Sequence, residues 1–228
     1  MVTMVFNSLI RSLFQRVSIQ RICAVHADKK LDVTETWQKD LLQDYATQLD
    51  CPDEYKLQML AALSYYPELR NTPIKVKYSN LETTATCRPA IPSIFTIRKS
   101  KSHARRKYII RINKKENFSG VLMKDVPLNA QIGVLAHEIA HIVDYERRSH
   151  VGLLKRALDY LEENRKKRFE YQIDKLTIEH GLGWQLYDWA DYAMHKSKAS
   201  EKYKAFKKRI YMGPADIEMH IQSLAVQG

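Results

Sequence analysis

The stretch HEIAH, residues 137–141 within NAQIGVLAHEIAHIVDYERR, constrains this chain more than any other. Ile132, Leu135, Ala136, Ile139, Ile142 and Val143 around it predict a helix buried on most sides. On such a helix His137 and His141 lie one turn apart, with ~6 Å of rise between them, and point the same way. An unpartnered polar group in an apolar interior costs roughly 2–7 kcal/mol, so the fold has to bring partners to this pair from elsewhere in the chain.

A metal ion is one such partner. Zinc accepts imidazole nitrogens at about 2.0–2.1 Å, and a catalytic site combines three protein ligands with a water. Glu138 is rotated one residue around the helix, so its carboxylate can meet that water without filling a ligand position, which is the mechanical logic of HExxH. The spacing HExxHxxGxxH fails here, because Asp144 stands at the glycine position and Arg147 at the third histidine. His150 lies nine residues past His141 and, with no helix-breaking glycine between, points elsewhere. The better third ligand is in RFEYQIDKLTIEHGLG, where Glu170 and Asp174 share a helix face at i and i+4. Glu170 would bind the zinc, and Asp174 would accept the second ring N–H of a ligating histidine and fix its tautomer.

Around these motifs the chain reads as α+β. Thr34 can cap a helix over ETWQKDLLQDYATQL, and PDEYKLQMLAALSYY begins another with proline in its first turn. Strands follow in PIKVKYS, TTATCRPA and RKYIIRIN, with Pro89 and Pro92 placing the middle one at an edge or near a turn. Helices resume from Pro127 or Asn129 to about Arg148, from 152 to 180 with Gly181 as the stop, and again to a last one near Pro214. We therefore expect a helical N-terminal extension over 1–70, including an amphipathic basic arm over 1–22, and a main domain over 71–228.

Charge sets the choice of partners. The formal net charge is +11, with basic clusters at RKSKSHARRK (98–107), NRKKR (164–168) and KYKAFKKR (202–209). An anionic surface, membrane or nucleic acid, is thus an expected partner beside a peptide or protein substrate. In the arm, Phe6, Leu9, Ile10, Leu13, Phe14 and Val17 fall at helical spacing among Arg11, Arg16 and Arg21, with no acidic residue before Asp28, a pattern that suits a membrane-surface helix, an organellar presequence or a helix docked on the domain. Arg11 interrupts the apolar stretch too early for a secretory signal, and no run approaches the ~20 apolar residues of a spanning helix. The expected location is cytoplasmic, peripheral at a membrane surface if the arm binds one. Residues 1–33 are also placed to cover the cleft. Cys23, Cys51 and Cys87 show no ligand spacing and are expected to be reduced.

HExxH followed on a later helix by E-x-x-x-D resembles the gluzincin metallopeptidases. HEIAH…FEYQID is most similar to the branch with an E-[FY]-x-A-D second motif, which holds the prenyl-protein endopeptidases, the heat-shock membrane proteases and small soluble relatives on the same minimal core. Ile173 departs from that pattern, standing where the branch has alanine. The resemblance implies a zincin-like core, a small mostly antiparallel sheet beside an active-site helix, with helical N- and C-terminal extensions. It implies one Zn2+ on His137, His141 and Glu170, Glu138 as general base and acid, Asp174 behind the ligands, and a peptide held by β-augmentation on a strand edge, for which RKYIIRIN is the candidate. It also implies a side chain that stabilises the oxyanion or donates a proton; His180 is the first candidate, with Tyr187 and His195 behind it. The expected activity is zinc-dependent endopeptidase. The alternative is an inactive protein of this fold with structural zinc, binding nucleic acid or membrane through its basic surface.

Overall fold

A computed structural model describes residue 45 and residues 48–90 and 106–227. The arm over 1–22, the covering role of 1–33, Cys23, most of the helix expected after Thr34 and most of the basic run 98–107 lie outside the described residues. The described chain is α+β, with a four-stranded mixed sheet and helices packed against one face of it.

Strand β1 (Leu49–Asp50) opens the sheet, so Leu49 belongs to a strand and not to the end of the helix expected over 35–49. Helix α1 (Asp53–Leu63) follows, then β2 (Ile74–Ser79), β3 (Ala85–Pro89) and β4 (Tyr108–Asn113). The spatial order is β1-β2-β4-β3; β1 with β2 and β2 with β4 are parallel, and β3 with β4 is antiparallel. The expectation of a mostly antiparallel sheet is corrected on this point. The physical reason lies in β4, the most apolar of the strands, which buries Tyr108, Ile110 and Ile112 and takes the central position between β2 and β3. Ile74, Val76, Ala85 and Cys87 complete the buried face, while alternate residues Lys75, Lys77 and Arg88 are exposed, as the two-residue period requires.

Helix α2 (Leu128–Glu146) packs on β3 and α1 and carries HEIAH through the core. Gln131 anchors its start: Nε2 donates to the carbonyls of Met123 (3.1 Å) and Val126 (2.8 Å), and Oε1 accepts from Gln58 Nε2 on α1 at 2.6 Å. At its other end Tyr108 Oη donates to Glu146 Oε1 at 2.6 Å and Arg106 donates to Tyr145 O at 2.7 Å, tying it to the β4 strand. The helix is thereby clamped at both ends around the histidines.

The single helix expected over 152–180 is two, α3 (His150–Asp159) and α4 (Glu163–Thr177). Glu162 breaks them apart, because its extended backbone starts a new helix and its carboxylate accepts from the N–H groups of Asn164 (2.7 Å) and Arg165 (2.9 Å). Past α4 a π-helical turn over Ile178–Leu182 contains Gly181 at φ 88°, a left-handed conformation that suits glycine and turns the chain into α5 (Gly183–Asp191). Helices α6 (Glu201–Ile210) and α7 (Pro214–Gln227) complete the described chain. Gly133 allows α2 and α5 to meet backbone to backbone: a Cβ there would stand 2.0 Å from Gln185 O.

Candidate metal centre

Helices α2 and α4 bring His137, His141 and Glu170 together in the interior, all three buried, with their ligand atoms within 4.8 Å of one another. His137 Nε2 is 3.2 Å and His141 Nε2 3.5 Å from the same oxygen, Glu170 Oε2. The group can therefore hold one metal ion. Asp174, a turn beyond Glu170, stands behind it: His137 Nδ1 lies 2.8 Å from Asp174 Oδ1, and the other carboxylate oxygen accepts the Met212 N–H at 3.0 Å. Ile173 is buried in the core, so the larger residue is accommodated.

Electrostatics favour the charged forms of Glu170 and His137. Burial alone would raise the Glu170 carboxyl, but His141 and His137 beside it drive it well below the usual carboxylate range. Burial alone would depress the His137 imidazole, yet its bonds to Asp174 and Glu170 outweigh that and raise it to about 10. Glu138 differs. Burial raises its carboxyl, only partly offset by His141 and His137, and its Oε2 is buried without a hydrogen-bond partner. His141 Nδ1 is unpartnered as well. A carboxyl with an elevated pKa and a free oxygen beside a ligand set has the character of a general base or acid.

A cleft of about 220 Å³ opens onto His137, Glu138 and Asp174. One wall is Thr83 and Thr84 with Ala85, the first residue of β3, and others come from α5 and α6. This corrects the expected strand edge. The strand in RKYIIRIN is interior, with both edges paired, whereas β3 is an edge strand, and no described strand covers its outer side. Asn113 N–H donates to Thr84 O (3.0 Å) and Ala90 N–H to Lys107 O (2.8 Å), so the even residues of β3 face β4. The alternation of an antiparallel pair then turns the N–H groups of Ala85 and Cys87 outward. The Cys87 thiol, raised by burial and by nearby Glu138, stays protonated. Cys51 and Cys87 are both free thiols.

The structure does not bring His180 to the cleft. Its ring stacks on Tyr66, Nδ1 lies 2.7 Å from Leu176 O and Nε2 2.9 Å from Glu68 Oε1, so both nitrogens are engaged at the far end of α4. Tyr187 packs against Trp184 and is not a cleft residue either. His195 does line the cleft, with Nδ1 2.8 Å from Asp191 Oδ1. Two residues not singled out in the sequence stand closer to the chemistry. The Tyr211 ring meets the His137 ring edge-on at 5.7 Å, and the Lys207 ammonium sits 3.5 Å above the Tyr211 ring and 5.3 Å from that of Trp189. Burial lowers Lys207 to about 8, against the pull of Asp174, Glu170 and Glu138. The available signal was slight: Lys207 lies inside a run that reads as a solvated basic face, and Tyr211 follows that run by two residues.

The chain matches no protein-family model, no curated protein and no solved structure.

Proposed function

We propose that this chain is a zinc-dependent endopeptidase with a zincin-like core, cleaving a peptide laid along the outer edge of β3. The spacing of the three candidate ligands supports it most directly. Bonds of 2.0–2.1 Å in a tetrahedron put neighbouring ligands about 3.4 Å apart, and Glu170 Oε2 lies 3.2 and 3.5 Å from the two histidine nitrogens. Structural zinc sites are closed by four protein ligands. Here the fourth neighbour is Glu138, a cleft-lining residue with a buried oxygen that no hydrogen bond engages, which favours catalysis over the structural-zinc scaffold.

Zinc, when bound, supplies Lewis acidity, lowering the pKa of a water to roughly 7 and drawing electron density from a carbonyl. The remaining work falls to the chain. Asp174 keeps His137 oriented with Nε2 toward the ligand set. Glu138 takes a proton from the attacking water as its oxygen bonds to the scissile carbon, and delivers that proton to the amine nitrogen as the C–N bond breaks. The outward N–H groups of Ala85 and Cys87 hold the peptide extended beside Glu138. Lys207 and Tyr211 are the donors we assign to the developing negative charge, in place of His180.

The test is metal content and peptide cleavage, measured on the wild type, Glu138→Gln and Glu170→Ala. One zinc per wild-type chain, kept in Glu138→Gln but lost in Glu170→Ala, with cleavage of a mixed peptide library only by wild type, is the expected result. Cleavage by Glu138→Gln, or a wild type that takes up no zinc on reconstitution, overturns the reading. Zinc-loaded wild type that cleaves nothing returns the scaffold alternative.

A further inference from the structure

Helix α3 is amphipathic the wrong way round for a helix of the core. Its inward side is held by Leu153, which is buried, and by Arg156, whose guanidinium bonds both oxygens of Asp144 (3.1 and 3.2 Å) and Gln172 Oε1 (2.8 Å) and lies 4.1 Å over the Phe169 ring. Its outward side carries Val151, Leu154 and Leu158, continued past the helix end by Leu161. These are 66, 66, 51 and 81 % exposed. At ~100° per residue Val151, Leu154 and Leu158 fall within an arc of about 60°, so they form one stripe, which Leu161 extends beyond the helix end. Single exposed leucines are ordinary; an unbroken aliphatic stripe marks a contact surface.

The charge around the stripe selects its occupant. Between residues 147 and 168 eight basic side chains stand against three acidic ones, and six basic ones remain once Arg148 and Arg156, both bonded to Asp144, are set aside. Arg147, just before the helix, and Lys155, between Leu154 and Leu158, are exposed, as are Arg165, Lys167 and Arg168 on the first turns of α4. Such a rim repels a second copy of a chain with net charge +11, and equally the chain's own residues 1–22, which carry Arg11, Arg16 and Arg21 and no acid. A nucleic acid would meet the rim and leave four aliphatic side chains unused. An aliphatic stripe rimmed by cations fits the boundary between acyl chains and anionic headgroups.

We infer that α3 is an interfacial membrane-docking helix, which lays Val151, Leu154, Leu158 and Leu161 into the surface of an anionic phospholipid bilayer while the flanking lysines and arginines meet its headgroups. No helix among the described residues is long and apolar enough to cross a membrane, so the attachment is peripheral at this helix. The inference stands apart from the peptidase reading, since none of the stripe residues lines the cleft.

The test is co-sedimentation of the whole chain with phosphatidylcholine vesicles, with and without about a third phosphatidylserine. Wild type is expected to partition onto the anionic vesicles and to be released by high salt. Leu154→Ser/Leu158→Ser, which removes exposed groups and leaves the core intact, is expected to weaken partitioning at least tenfold. Arg11→Glu/Arg16→Glu separates a contribution of the arm. The inference is overturned by a wild type that ignores anionic vesicles or binds neutral ones equally well. It is also overturned by a leucine variant that binds like wild type, or by a dimer that the leucine variant dissolves.

Discussion

Asp174 Oδ1 sits 2.8 Å from His137 Nδ1, one oxygen of a carboxylate whose other oxygen, 3.0 Å from the Met212 N–H, is committed to the α6–α7 turn. The candidate ligand is thus held by a group that is itself held, and the turn that carries Tyr211 is fastened to the same carboxylate.

Asp174→Asn retains one acceptor for two donors, so the imidazole loses its fixed orientation. Zinc affinity is expected to fall 10–100-fold, or about 1.4–2.8 kcal/mol, with secondary structure unchanged. Competition against a chromophoric chelator measures it; an affinity equal to wild type would show that the carboxylate has no hold on the ligand.

The zinc-free protein should show a two-sided pH profile. A histidine raised to about 10 stabilises the fold fully below its ordinary 6.5, and that contribution is lost as pH climbs toward 10. Glu170, depressed, contributes fully above its ordinary 4.5 and loses that contribution in acid. Chelator-treated protein should therefore be most stable between about 4.5 and 6.5. Zinc must displace the His137 proton, so the gap in Tm between loaded and stripped protein should widen as pH rises. A stripped protein whose Tm climbs from pH 6.5 to 10 would contradict this.

Glu138→Gln should stabilise the stripped protein. A carboxyl raised by burial costs the fold more as pH passes its ordinary 4.5, so the variant's advantage should be absent in acid and grow toward neutrality. Thermal melts at pH 4 and 7 suffice. Activity lost together with stability gained is the pattern of a functional group kept at the expense of the fold.

Lys207→Met should separate two properties. With the ammonium lowered to about 8 from 10.5, the fold binds fewer protons than the unfolded chain between those values, and the destabilisation is complete below 8. The variant should melt above wild type at pH 7, with the difference closing by pH 10.5. If Lys207 meets charge formed during cleavage, kcat should fall while KM changes little. A variant that melts below wild type at pH 7 would mean that the ammonium is stabilising where it sits.

The candidate ligands were legible because each lies in a local pattern, His137 and His141 at i and i+4 on one helix, Glu170 and Asp174 at i and i+4 on another. The alternation of buried and exposed residues in β2 was equally plain. What pairs with what was not. YIIRIN reads as a good strand whether at an edge or in the centre, and only its insertion between β2 and β3 makes the latter the free edge. His180 was misplaced because it follows Glu170 closely in sequence, whereas its ring turns to Tyr66 and Glu68, over a hundred residues earlier. Lys207 and Tyr211 reach the site from α6 and the turn after it, a tertiary contact with no signature of its own.

Gly133 gives the cleft a mechanical character. Because α2 and α5 touch through their backbones at Gly133, no side chain separates the two helices at that point, and the helical side behaves as an anvil. The strand side has give, since β3 is bonded to a neighbour along one edge only. A guest too large for the resting cleft would be accommodated by bending the sheet outward. Strain from a bulky guest would accordingly register in the amide hydrogen exchange of Thr86 and Arg88, whose N–H groups face β4, before it registered anywhere along the helix that carries the histidines.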